Sequence, residues 1–398
     1  MKILICNAGS TSLKFKLWAM PGFSALAEGR VERVGGSDAI YSCRVGAHEE
    51  KRTGLDIPDY TAGVRLFLNS LTAPNTGAVA SLAEIDAVGF KTVLSRGFGG
   101  VHFLTQEVLD GMEAMMSVAP AHNGPYLEAI RVFEKLMPDA PRIGVFETAF
   151  HASIPLERRV YPVPYEWFER YGVMRMGYHG ASHGYIAEKL AGKRRVISCH
   201  LGGSGSLCAI LDGKSVDNSF GLSLQAGIPH AQRAGDIDPY VIPYMLAQGL
   251  TMDEVLRGLG KNGGLKGLSG ASGDLRDIEV AVEAGSERAR LALDVYVTGI
   301  ARYIGAYYVE LGGLDALAFT GGIGENSWRV REMVLDRLGC IGVRYDRALN
   351  RACRGEAVLS AADSAVSVHV IPANEEWMVV RSAYNLLAQS GNAREGSV

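Results

Sequence analysis

The sequence predicts an α/β protein whose central architecture occurs twice. Three observations carry this. Strand-like apolar runs alternate with helix-like segments along the chain. The chain has 398 residues, more than one hydrophobic core usually serves, so two domains are expected. One plan (strand, turn of small residues, strand) opens the chain and returns at its middle.

The first copy runs Ile3-Leu4-Ile5-Cys6-Asn7, then Ala8-Gly9-Ser10-Thr11-Ser12, then Leu13-Lys14-Phe15-Lys16-Leu17. The second rises from Val196 into Cys199-His200, turns through Gly202-Gly203-Ser204-Gly205-Ser206, and continues as Leu207 to Leu211 before Asp212-Gly213. Small residues in such turns leave the backbone N–H groups open to an anion, so both are candidate phosphate cradles. Two unrelated hairpins are the plainer alternative. A third glycine-rich turn, Gly321-Gly322-Ile323-Gly324, follows the run Leu314 to Phe319. The chain has no GxxxxGK[ST], and GGIG lacks the GxGxxG spacing. Neither a P-loop nor a Rossmann site is expected.

The remaining elements follow in order. Ala25 to Val34 reads as a strand, Pro58 to Leu71 as a helix and Ile85 to Phe90 as a short strand ending at Lys91. Thr105 to Met116 puts Val108, Met112, Met115 and Met116 on one helical face, a core stripe. Pro125 to Met137 reads as a helix entered through Asn123. Arg142 to Phe146 is a strand stopping at Glu147, and Gly180 to Leu190 a helix after Tyr178-His179. Asn218 to Pro239 is loop-like. Thr251-Met252-Asp253-Glu254 has capping-box spacing. Ser286 to Leu311 is a long helix ended by Gly312-Gly313. A last helix starts at Asn374. The domains are expected as 1–149 and 150–380, with 381–398 returning to the first.

Composition excludes several classes. Apolar residues make up 47% and charged residues 21%, as in soluble globular proteins. A net charge of -3 without a basic stripe argues against nucleic acid as a partner. No run approaches a membrane span, so a membrane partner is not expected either. Six cysteines without CxxC spacing suit buried thiols in a reducing cytoplasm.

Eight motifs then occur in order: NAGSTSLKFKL at 7–17, VFETAFH at 145–151, GYHGASH at 177–183, CHLGGSGS at 199–206, GDIDP at 235–239, LSGASGDLRDI at 268–278, FTGGIGENS at 319–327 and PANEE at 372–376. Together they resemble the acetate kinase family, within the superfamily of acetate and sugar kinases, heat-shock ATPases and actin. The resemblance implies the duplicated actin-like ATPase (ribonuclease H-like) fold with a nucleotide cleft between domains. It implies ATP with Mg²⁺ or Mn²⁺, a homodimer, and phosphorylation of a short-chain carboxylate to an acyl phosphate. Such a substrate has a pKa of about 4–5 and is already ionised, so the reaction needs cations and donors, not a base.

By the same resemblance, Arg233, His179, Glu147 and Lys91 are the catalytic candidates. Lys91, Val93, Ala121, Tyr178 and Leu224 would meet the carboxylate. Lys14, His200, the turn Gly202 to Gly205 (with Ser204 in it), Asp274, Leu275, Arg276, Gly322, Ile323, Gly324 and Asn326 would hold nucleotide. Asn7 and Glu375 would serve the metal; Ser10, with Ser12, would face phosphate and metal, and His122 matches a further family histidine. Each has a plainer reading: an Arg233–Asp236 ion pair, a backbone-bonded histidine at His200, or a helix cap of acids at Glu375-Glu376. The chain also departs from the family. Phe90-Lys91 stands where His-Arg is usual, Glu147 replaces an aspartate, and Gly203 an asparagine. Ala121 replaces a leucine, Tyr178 a phenylalanine, and the loop Gly221-Leu222-Ser223-Leu224-Gln225-Ala226-Gly227 stands where GFTPLEG is usual. A hydroxyl-directed kinase, with Glu147 as base, and a non-catalytic nucleotide-binding regulator are the alternatives.

Overall fold

The computed structural model describes residues 1–395, the side chains of Ala121 and residues 392–395 excepted. The chain divides into two compact units: Met1–Ala149 with the chain from Glu375 on, and Phe150–Asn374. The return therefore comes six residues before the expected position 381. The last helix begins at Glu375, and its first turns already pack on the strands of the first unit.

In the first unit the strands are β1 (Lys2–Gly9), β2 (Ser12–Ala19), β3 (Ser24–Glu32), β4 (Gly36–Val45), β5 (His48–Ile57), β6 (Ala87–Phe90), β7 (Val101–Phe103) and β8 (Arg142–Val145). They form one sheet in the order β5-β4-β3-β2-β1-β6-β8-β7. The second unit contains β9 (Arg195–His200), β10 (Ser206–Leu211), β11 (Lys214–Asn218), β12 (Ala316–Thr320), β13 (Ala357–Val358) and β14 (Ser367–Val370). Their order is β11-β10-β9-β12-β14-β13.

The two orders are the same arrangement. β3-β2-β1-β6-β8-β7 corresponds strand for strand to β11-β10-β9-β12-β14-β13. The senses agree as well: the first three strands of each set are antiparallel, the next two join in parallel, and the sixth pairs antiparallel. The repeat seen as two short motifs thus extends through a whole sheet. β4 and β5 are additions to the first copy. Sequence reading missed them because β5 (HEEKRTGLDI) carries charges on both faces, as an edge strand does.

The turns follow local chemistry. Asp212 and Gly213 both have positive φ, 49° and 77°, as a two-residue primed hairpin turn requires. Thr251 and Glu254 form the predicted capping box. One helix differs from expectation. It spans Pro120–Leu136, with Pro120 in the first turn and Pro125 inside. Asn123 is therefore not its entry. Its buried amide instead donates to Leu94 O and Met112 O, 2.8 Å each, closing the loop after β6.

Both sheets are filled by their helices. In the first unit Phe15 stacks on Phe67 at 4.6 Å, and Phe90 meets Phe133 edge-on. In the second, the helix Glu287–Glu310 buries Leu293, Tyr296, Val297, Ile300 and Ile304 against β9 and β10. Among the described residues no helix is long and apolar enough to cross a membrane.

Candidate active site

Polar groups concentrate where the parallel strands of each sheet end. In the first unit β1, β6 and β8 run in parallel register, with Cys6 beside Phe90 and Phe90 beside Gly144. Asn7, Lys91-Thr92 and Glu147-Thr148 therefore emerge at one sheet edge. The carboxyl ends of parallel strands are the usual place for ligands in α/β folds.

Lys91 is the hub of this edge. Its Nζ lies 2.6 Å from Glu147 Oε1 and also pairs with Glu375. Burial works against the ammonium charge, but the carboxylates of Glu147 and Glu375 outweigh it and hold Lys91 firmly protonated. Glu375 opens the last helix, where the helix dipole also favours an acid. Nearby Tyr126 is buried, and its hydroxyl is pushed up for that reason. Asn7 Oδ1, Thr92 Oγ1 and Thr148 Oγ1 are buried with no hydrogen-bond partner. Buried polar atoms are seldom left so.

The second unit repeats the pattern. β9 and β12 end together, His200 beside Thr320. Thr320 Oγ1 and Ser204 Oγ are again buried without a partner. Gly321 has φ +76°, and a Cβ there would sit 2.7 Å from Leu201 O, so only glycine fits. The N–H groups of Ile323 and Gly324 both point to Leu201 O, at 2.8 and 3.1 Å. The stretch read as a turn is in fact a short helix, Gly321–Asn326.

His179 precedes the helix Gly180–Lys189 and has left-handed φ, 57°. His200 stacks on it at 4.1 Å, and His200 Nδ1 meets Ser182 Oγ at 2.8 Å. Arg233 belongs to a segment tied to the Gly-Ser turn. Ala231 N donates to Gly203 O at 3.0 Å, and Gly205 N donates to His230 Nδ1 at 3.1 Å. Arg233 Nη1 donates to Leu224 O at 2.6 Å. The alternative ion pair with Asp236 does not form: that carboxylate accepts from Gly227 N at 2.8 Å and from Tyr303 Oη at 2.5 Å. Burial lowers the Arg233 pKa from its ordinary value, yet a guanidinium stays charged.

Other candidates fall elsewhere. Tyr178 is fully buried, and its hydroxyl donates to Leu222 O at 2.6 Å, bracing the 221–227 loop. Val93 is buried, and Leu224 half-buried. Ala121 lies on the helix Pro120–Leu136, with its side chain outside the described residues; His122 beside it is exposed. Lys14 is exposed and lines an open cleft of about 710 Å³ with Lys16, Arg30 and Arg44 among glutamates. Asp274 caps the helix Leu275–Glu283 and chelates Arg276, which lowers its pKa to about 2. Leu275 points into the core. Asn326 donates to Gly322 O at 2.9 Å. Sequence reasoning missed Thr92, Thr148 and Thr320. A polar residue directly after an apolar strand run was the available signal.

Among the described residues, no three His, Cys, Asp or Glu side chains converge as a metal cage. The oxygen set of the first unit (Asn7 Oδ1 with Glu147 and Glu375) still fits Mg²⁺, which takes one or two carboxylates and completes its shell with water and phosphate.

A sheet repeated strand for strand, with cations, carboxylates and unsatisfied polar groups at the ends of its parallel strands, defines an anion-handling protein of the actin-like ATPase fold. Comparison with known proteins agrees. The acetokinase family model matches residues 2–381. The acetate kinase of Bacillus subtilis is 43% identical over 399 residues, covering 97% of this chain and 99% of the relative. The crystal structure of Porphyromonas gingivalis acetate kinase superposes with TM-score 0.87 at 36% identity, covering 97% of this chain and 99% of that one. A propionate kinase from Francisella tularensis gives TM-score 0.86 at 30% identity, covering 96% and 98%. The chain belongs to the acetokinase family.

Proposed function

We propose that this chain catalyses reversible transfer of a phosphoryl group from ATP to a short-chain carboxylate, with acetate as the preferred acid. The observation carrying this is the set of buried, unpartnered polar atoms at the strand ends: Asn7, Thr92, Thr148, Ser204 and Thr320. Membership of a family whose relatives are acetate and propionate kinases supplies the reaction class.

The chemistry follows from charge. A carboxylate and a nucleotide phosphate repel, and the acceptor is already a nucleophile at neutral pH. Catalysis consists of holding two anions in line and neutralising charge on the moving group. Arg233 and Lys91 supply fixed cations, and His179 a neutral or charged donor. The N–H groups of Gly202, Gly203 and Ser204 supply backbone donors, that of Gly205 being given to His230 Nδ1. Asn7, Glu147 and Glu375 would hold a divalent cation, which when bound neutralises phosphate charge. Glu147 accepts from Lys91, which leaves the alcohol-kinase alternative without a dedicated base. Asp274, Arg276, Gly322, Ile323, Gly324 and Asn326 would border the nucleoside, with Asp274 acting through the helix it caps. The same reading takes the protein as a cytoplasmic homodimer; light scattering in solution checks the mass.

Acyl phosphate formation from Mg-ATP with straight-chain acids of two to six carbons tests acid preference. One methylene is worth about 1–3 kcal/mol in an apolar pocket. The proposal expects the highest kcat/KM with acetate. A peak at a longer acid would show that Ala121 and the 221–227 loop set a different specificity.

A further inference from the structure

Four side chains of the second unit form an unbroken line under the Gly-Ser turn. Ser198 Oγ lies 2.8 Å from His183 Nδ1. His183 Nε2 lies 2.8 Å from Ser206 Oγ, and Ser206 Oγ 2.9 Å from His179 Nδ1. Ser198, His183 and Ser206 are completely buried. The roles set out above include none for these three.

Counting donors and acceptors fixes the direction of the line. A hydroxyl has one hydrogen, and a neutral imidazole one N–H. Ser198 Oγ has one side-chain or backbone partner among the described residues, His183 Nδ1. If His183 Nδ1 carried the proton, the hydrogen of Ser198 would be buried without an acceptor, which costs more than the bond it replaces. Ser198 therefore donates to His183 Nδ1. Burial among apolar strands keeps His183 neutral, with its pKa well below the ordinary value; the neighbouring rings of His151 and His200 add to this. Its single proton is then on Nε2 and is donated to Ser206 Oγ. Ser206 has its own hydrogen left for one acceptor, His179 Nδ1.

We infer that Ser198, His183 and Ser206 are positioning residues that fix His179 as a neutral imidazole with its proton on Nε2. The inference rests on the proposed contact of His179 with the transferring phosphoryl group for its catalytic meaning. It deepens that reading by making His179 a hydrogen-bond donor and not a cation. The fixed positive charge then comes from Arg233 and Lys91. The groups facing His179 are consistent: His200 stacks on it, Phe220 meets it edge-on at 5.3 Å, and His183 lies beyond Ser206. An imidazolium here would either leave the hydrogen of Ser206 buried without an acceptor or reverse every bond in the line and leave that of Ser198 without one.

The test is nitrogen NMR of the full-length protein labelled with [¹⁵N]histidine, with His179 and His183 assigned from His179→Gln and His183→Gln spectra. At neutral pH both rings are expected to show a pyridine-like Nδ1 and a pyrrole-like Nε2. Ser206→Ala should remove the single tautomer at His179. It should also lower kcat about 10-fold or more with KM for both substrates unchanged, and Ser206→Thr should restore both. Two protonated nitrogens on His179, or a proton on its Nδ1, overturn the inference. So does a Ser206→Ala protein with wild-type kcat and an unaltered His179 spectrum. If His179→Ala keeps wild-type kcat, the proposed phosphoryl contact fails, whereas the wild-type spectrum still decides the tautomer.

Discussion

Lys91 sits between Glu147 and Glu375, and that placement turns two departures from the family pattern into one feature. Lysine is shorter than the usual arginine and lacks its fork; glutamate is one methylene longer than the usual aspartate. The contact between Lys91 and Glu147 closes at 2.6 Å with these lengths. Lys91→Arg alone overfills the space, and Glu147→Asp alone opens it. Each should lower kcat about 10-fold, and the double variant should recover most of the loss, because contacting residues couple. A full kinetic cycle measures this; strictly additive losses would contradict it. Lys91→Met leaves two carboxylates facing each other and should destabilise the first unit by about 3 kcal/mol in urea unfolding. None of this was legible in sequence, since Glu375 stands 284 residues from Lys91. The residue types were legible. Their mutual contact was not.

At the scale of elements, legibility followed local chemistry. The capping box at Thr251 and Glu254 and the Asp-Gly hairpin announced themselves by spacing, and both formed. Thr251→Ala removes the bonds to Glu254 N and Glu254 Oε2 and should cost about 1 kcal/mol, read as a lower urea midpoint with unchanged activity. Elements decided by tertiary partners were missed. β5 is mostly charged, with apolar side chains only at Leu55 and Ile57, and exists because β4 offers it a ladder. The helix Pro120–Leu136 starts early because Asn123 serves the loop after β6 instead of a cap. Gly321–Asn326 coils because Leu201 O receives its first N–H groups.

Across the whole molecule, the second unit carries an acid sensitivity of its own. His151, His183 and His230 are buried, and burial lowers their pKa values, to about 4 for His151 and about 3 for His230. The unfolded chain takes up these protons near pH 6.5. Below that pH it binds more protons than the fold, so stability is intact above about 6.5 and falls as pH drops toward 4. The slope is about 1.4 kcal/mol per pH unit for each histidine. Thermal unfolding should show a steep loss of Tm between pH 6.5 and 4. A flat profile would contradict the neutral assignment. The duplication was visible in sequence only as two strand–turn–strand motifs, yet six strands of each sheet repeat in order and sense. Strand order depends on long-range pairing, which spacing along the chain does not encode.

Phosphoryl transfer to a carboxylate rests on the cations at the strand ends. It is tested most directly by trapping the product with hydroxylamine in reactions of the wild-type protein and Arg233→Ala with acetate and Mg-ATP. The expected product is acyl hydroxamate that requires both substrates and is formed about 10²–10³-fold more slowly by Arg233→Ala. No hydroxamate with any short carboxylate while ATP still binds, or an undiminished rate in Arg233→Ala, would contradict it.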